Sequence, residues 1–68
     1  MAGAETDFEM VLRHVREGEA CVARQREIIA ELAAGGHPTD MAETLLAQFE
    51  TILLEHKAHL ARIAGRRD

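Results

Sequence analysis

The sequence predicts an all-α fold: an antiparallel hairpin of two long helices that pairs with a second copy into a homodimeric four-helix bundle. Three observations point there. Two stretches rich in Ala, Glu, Arg and Leu are separated by one Gly-Gly-His-Pro turn. Each stretch repeats apolar residues at heptad spacing. A chain of 68 residues also rarely builds a self-sufficient core without disulfides, metal or association.

The elements follow in order. Residues 1–5 are expected to be a flexible N-terminus. Thr6-Asp7-Phe8-Glu9 matches a capping box, in which the Thr hydroxyl accepts from the Glu9 N–H and the Glu9 carboxylate accepts from the Thr6 N–H. A helix then runs over about 7–34, uninterrupted by Pro. Gly35-Gly36 stops it, and His37-Pro38 complete a turn at 35–38. A second start follows at Thr39 or Asp40; Asp40 and Glu43 repeat the three-residue capping spacing and suit the positive end of a second helix over about 39–64. Gly65 ends that helix, and Arg62, Arg66 and Arg67 suit its negative end. The hairpin therefore spans 6–65, with a tail at 66–68. Each helix is about 40 Å long at about 1.5 Å per residue.

Helix 1 places Phe8, Val15, Val22 and Ile29 at heptad position a, and Val11, Gly18, Gln25 and Leu32 at d. Leu12, Cys21 and Ile28 widen the stripe. Helix 2 places Ala42, Phe49, His56 and Ile63 at a, and Leu45, Ile52 and His59 at d. Leu46, Leu53 and Leu60 form a third apolar column at e. A two-helix contact needs only a and d, so a lone hairpin is expected to leave Leu12, Ile28, Leu46, Leu53 and Leu60 partly in water. Each one left exposed forfeits roughly 1.5–3 kcal/mol. The apolar members of all these columns are the expected interface, within the hairpin and between two copies. A partner helix from another protein is the alternative occupant.

Pairing across the turn is expected to set Gly18 near His56, Val15 near His59, and Gln25 opposite Phe49. The missing side chain of Gly18 would make room for the His56 ring. Gln25 would set register or oligomeric state, as single buried polar residues do in coiled coils.

The residue inventory excludes several chemistries. The chain has no Ser and no Asn, hence no serine nucleophile and no Asn to orient a histidine. It has no Trp or Tyr and only two Phe, so there is little surface for stacking bases. The net charge of −4 argues against nucleic-acid binding, which needs clustered positive charge. No apolar run approaches the roughly 20 residues that cross a bilayer, and Met1 to Met10 reads polar and acidic rather than basic then apolar, so no signal peptide is expected. The lone Cys21 cannot form an internal disulfide; it is expected to be an apolar filler, or a thiol bridging two copies. Gly35-Gly36-His37-Pro38 is turn chemistry, since no Lys follows to make a phosphate loop.

The metal candidates are His14, His56 and His59, gathered with Glu19 and Glu55 toward the open end of the hairpin. Imidazole and carboxylate are zinc and iron ligands. No Glu-x-x-His occurs, so the inward pattern of di-iron bundles is missing, and no cofactor is expected. The other reading of these histidines is a group that titrates near neutrality. Arg13, Arg16, Arg24 and Arg26 form the one candidate patch for an acidic partner, diluted by acids on the same helix.

The segments Val22-Ala23-Arg24-Gln25-Arg26-Glu27-Ile28-Ile29, Gly36-His37-Pro38-Thr39, Leu45-Leu46-Ala47-Gln48-Phe49 and His56-Lys57-Ala58-His59-Leu60 resemble a group of short bacterial helical-hairpin proteins. These share an Arg-Gln-Arg-Glu-Ile helix, a Gly-His turn and a Leu-Leu-x-x-Phe helix. The resemblance implies the hairpin and carries no site with it. In size and layout the chain is also similar to Rop, a helical-hairpin dimer that binds paired RNA loops, but in architecture alone. The expected function is thus a non-enzymatic interaction or regulatory protein of the cytoplasm, acting as a homodimer. The alternatives are a Rop-like RNA binder using the four arginines and a metal-binding bundle using the three histidines.

Overall fold

Thr6 is where the chain turns into its first helix. Its backbone is extended (φ −74°, ψ 163°), its hydroxyl accepts from the Glu9 N–H at 3.1 Å, and its own N–H donates to the Glu9 carboxylate at 2.9 Å. Two donors that helical geometry leaves orphaned are thereby satisfied. The computed structural model describes residues 5–66. In it, α1 runs Asp7–Ala34 and α2 runs Asp40–Gly65. Both are α-helices, packed antiparallel, and the described residues include no strand. The flexible N-terminus expected at 1–5 and the tail at 66–68 lie outside the described residues, except for Glu5 and Arg66. No described helix is long and apolar enough to cross a membrane.

The turn needs its second glycine more than its first. The His37 N–H donates to the Leu32 carbonyl at 2.9 Å and the Gly36 N–H to the Ala33 carbonyl at 3.1 Å. This pair of bonds forces residue 36 into the left-handed region, and Gly36 has φ +75°. Gly35 has φ −83°, which any residue adopts.

The second helix takes the first of its two expected starts. Asp40 is already the first helical residue, and Thr39 takes the N-cap position. Its ψ is 0° rather than extended, so its hydroxyl misses the backbone amides and donates to the Glu43 carboxylate instead. An Asp40–Glu43 capping box does not form. Both acids still sit in the first turn, where the helix dipole favours them.

The molecule measures 50 × 25 × 13 Å, a slab two helices wide and one helix thick. Its core is a single seam. On α1 the seam uses the heptad columns expected: Val11, Val15, Val22 and Gln25 are buried, and Phe8, Gly18, Ile29 and Leu32 are half-buried. Leu12 and Ile28 are half-buried on its flanks. On α2 the seam runs along a and e, not a and d. Leu53 is buried, and Ala42, Leu46, Phe49, His56, Leu60 and Ile63 are half-buried. The d column faces out, with Leu45 40% and Ile52 47% exposed and His59 exposed beyond them. The physical reason lies in the two columns themselves. The e column offers three leucines, whereas d would bring the His59 imidazole into a seam with no partner for it.

This choice also resets the register. Gly18 and His56 line the same groove, but the side chain packed against Gly18 is Leu53: a Cβ at residue 18 would lie 3.0 Å from Leu53 Cδ1. The missing side chain therefore lets a leucine approach, and His56 moves beside His14. Gln25, 6% exposed, does not face Phe49; its Nε2 donates to the Ala42 carbonyl at 2.9 Å. That bond ties the middle of α1 to the first turn of α2 and satisfies a polar group that burial would otherwise make costly.

Two substitutions test this description. Gly36→Ala is expected to lower stability by about 1–2 kcal/mol in urea unfolding, because the left-handed backbone remains required. Gly18→Leu is expected to cost about 1–3 kcal/mol, because its side chain must enter the space that Leu53 fills. Unchanged unfolding midpoints would contradict each assignment.

Candidate functional site

The two broad faces of the slab differ in chemistry. Across one face, Arg26 pairs with Glu50 at 2.9 Å and Lys57 with Glu19 at 3.8 Å, bridging the helices over Val22 and Leu53. All four side chains are substantially exposed, so each pair contributes only about 0–1 kcal/mol. Their consequence is positional: charge closes this face, with Leu54 at its rim, 66% exposed.

Across the opposite face, none of the ion pairs among the described residues bridges the helices. An open groove of about 260 Å³ lies there, with Gly18 and Cys21 on its α1 side and Phe49 and Ile52 on its α2 side. Toward the turn the groove continues along Ile28, Met41 and Leu45. Met41 is 88% exposed. Leu45 and Ile52, one heptad apart, make a ridge on α2. Gly18 and Cys21, which are small, make a hollow beside it on α1. Cys21 is a free, exposed thiol on this face.

The histidines divide. His14 of α1 and His56 of α2 line the open groove, with ring centroids 5.2 Å apart and planes inclined at 47°. Both are half-buried. His59 lies elsewhere, beside Asp7, Met10 and Ile63 near the ends of the helices. Glu19 is on the charged face with Lys57, and Glu55 is exposed on the outer side of α2. The gathering of His14, Glu19, Glu55, His56 and His59 expected from the sequence therefore reduces to the His14–His56 pair. Among the described residues, no set of three His, Cys, Asp or Glu side chains is placed to hold a metal ion.

The arginines divide as well. Arg13 grips Glu5 through two bonds, Nη2–Oε1 at 2.9 Å and Nε–Oε2 at 3.0 Å, and approaches Glu17 at 3.4 Å. Arg26 belongs to Glu50. Among the described residues, Arg16 and Arg24 carry no ion pair. Two of the four guanidiniums considered for an acidic partner are thus neutralised by carboxylates of the same chain. The Arg13 hydrogen bond holds the Glu5 carboxyl below the usual carboxylate range and raises the Arg13 guanidinium further above its own.

The outward d column and the cross-helix charges escape a reading of the sequence alone. The one available hint is His59, which makes d the most polar of the three columns on α2. Compared with family models, curated proteins and solved structures, the chain matches none.

The Glu5–Arg13 contact makes a prediction in pH. A carboxylate with a depressed folded value stabilises the fold above its unfolded value, and that contribution is lost as pH falls through the folded one. Arg13→Gln is expected to move the Glu5 titration midpoint upward, toward that of an ordinary glutamate, as read by carboxyl-carbon NMR. An unmoved midpoint would show that Arg13 does not hold Glu5 in solution.

Proposed function

We propose that the chain is a non-enzymatic self-association module, a homodimer in which two hairpins pair through their open faces into a four-helix bundle. One observation carries this reading. Leu45 and Ile52, 40% and 47% exposed, stand one heptad apart on the face that no cross-helix ion pair closes. Burying such side chains is worth roughly 1.5–3 kcal/mol each. The buried apolar side chains of the hairpin are only Val11, Val15, Val22 and Leu53 among the described residues, a thin core for independent stability.

A second copy is the occupant that suits the face best. A two-fold axis along the bundle sets α2 of one hairpin over α1 of the other. The Leu45–Ile52 ridge then drops into the Gly18–Cys21 hollow, twice, once for each copy. A two-fold axis across the bundle would set ridge on ridge and hollow on hollow. Self-complementarity of this kind is what an isologous interface requires. In this reading the protein acts by bringing two copies, and whatever each copy carries, into one rigid body.

Light scattering at micromolar concentration is expected to give twice the 7.5 kDa chain mass. Ile52→Glu should abolish the dimer, whereas Leu54→Glu, a charge added on the opposite face, should leave it intact. A wild-type mass of 7.5 kDa, or equal effects of the two substitutions, would overturn the proposal.

A further inference from the structure

The imidazoles of the open face sit at one level of it. Near the turn the face presents Ile28, Met41 and Leu45 with Gln25, Thr44 and Gln48; further along it presents Phe49 and Ile52 with His14, Glu17 and His56. The ridge-and-hollow pairing puts the turns of both copies at the same end and sets imidazole against imidazole. Turns at opposite ends would set the histidines and Glu17 against Leu45 and Ile28. The same-end arrangement brings the His14–His56 pairs of both copies to one level, on either side of the two-fold axis.

Resting on that dimer, we infer that His14 and His56 form half of a metal site of the zinc class, completed by the same pair from the second copy. The ring spacing of one half matches that of two imidazoles on one ion. Two imidazoles sharing a tetrahedral ion at about 2.0–2.1 Å have ring centroids about 5 Å apart. The His14 and His56 centroids are 5.2 Å apart, and each ring comes from a different helix of the seam. A tetrahedron has a two-fold axis through the midpoints of opposite edges. Each copy supplies one edge, and the ion lies on the axis. Among the described residues, no third ligand is placed with these two, so the site is incomplete without the partner copy.

Imidazole nitrogens suit zinc and its borderline neighbours, and an ion shared by the rings satisfies polar groups that the dimer would otherwise bury against one another. Glu17 lines the same groove and adds a negative charge to it, with Arg13 at 3.4 Å from its carboxylate. His59, exposed and outside the groove, takes no part.

The test is a titration of the intact chain with Zn²⁺, with mass and zinc content read in parallel, starting from protein stripped with EDTA. The expected stoichiometry is one ion for two chains. With free zinc at about ten times its Kd, the dimer dissociation constant should fall about tenfold, since only the dimer holds the site. His14→Gln and His56→Gln should remove uptake, and His59→Gln should not. Because either of the first two substitutions could disturb the seam, Co²⁺ added to the unaltered chain provides a second reading: tetrahedral visible absorption that saturates at one ion for two chains. A dimer that is stable in EDTA and takes up no zinc overturns the metal site and leaves the association reading standing. One ion per chain, or uptake that persists in both His→Gln variants, overturns it as well. A monomer with and without zinc overturns both.

Discussion

Two helices in contact bury one stripe of side chains each, and α2 carries more apolar columns than one stripe can hold. Most of the structure follows from how that excess is resolved. The seam takes the columns containing Leu46, Leu53 and Leu60, and the column containing Leu45, Ile52 and His59 turns outward. With Leu53 in the seam, its opposite number on α1 must be small, and Gly18 supplies the space. With Gly18 against Leu53, His56 comes level with His14, and Gln25 reaches the Ala42 carbonyl near the turn. The cross-helix ion pairs settle on one face, and the outward column gives the other its ridge.

The parts of this that were legible in the sequence rest on local or strictly periodic signals. The Thr6–Glu9 capping box depends on four consecutive residues, and the Gly35-Gly36 stop on two. The α1 heptads give one apolar stripe with Leu12, Cys21 and Ile28 on its flanks, and the acids and arginines gather on the side away from it. On α2 the choice between d and e depends on what faces each column across the seam, and spacing carries no information about that. The register followed the same choice, so Gly18 and Gln25 were legible as special positions while their partners were not. At Thr39 and Asp40 the local pattern offered two caps, and the turn after Pro38 selected the one with the poorer side-chain geometry.

The charged and metal-ligating residues show the same division. Residues grouped by their position along the hairpin need not share a face of it. Glu19 and His14 are both toward the open end of the hairpin, yet one pairs with Lys57 on the charged side and the other joins His56 on the apolar side. Four arginines on one helix likewise make no patch once Arg13 meets Glu5 and Arg26 meets Glu50. What no cross-helix ion pair closes, among the described residues, is the face that carries Leu45 and Ile52. Together with a vocabulary that lacks Ser, Asn, Tyr and Trp, this is the basis for reading the molecule as built for association rather than for chemistry on a single chain.

The most direct measurement of that reading is an isotope-filtered NMR experiment on an equimolar mixture of labelled and unlabelled chains. Association through the open face predicts intermolecular contacts from the methyls of Leu45 and Ile52 to residues around Gly18 and Cys21, and none from Leu54. The absence of intermolecular contacts at Leu45 and Ile52, or contacts centred on Leu54, would contradict it.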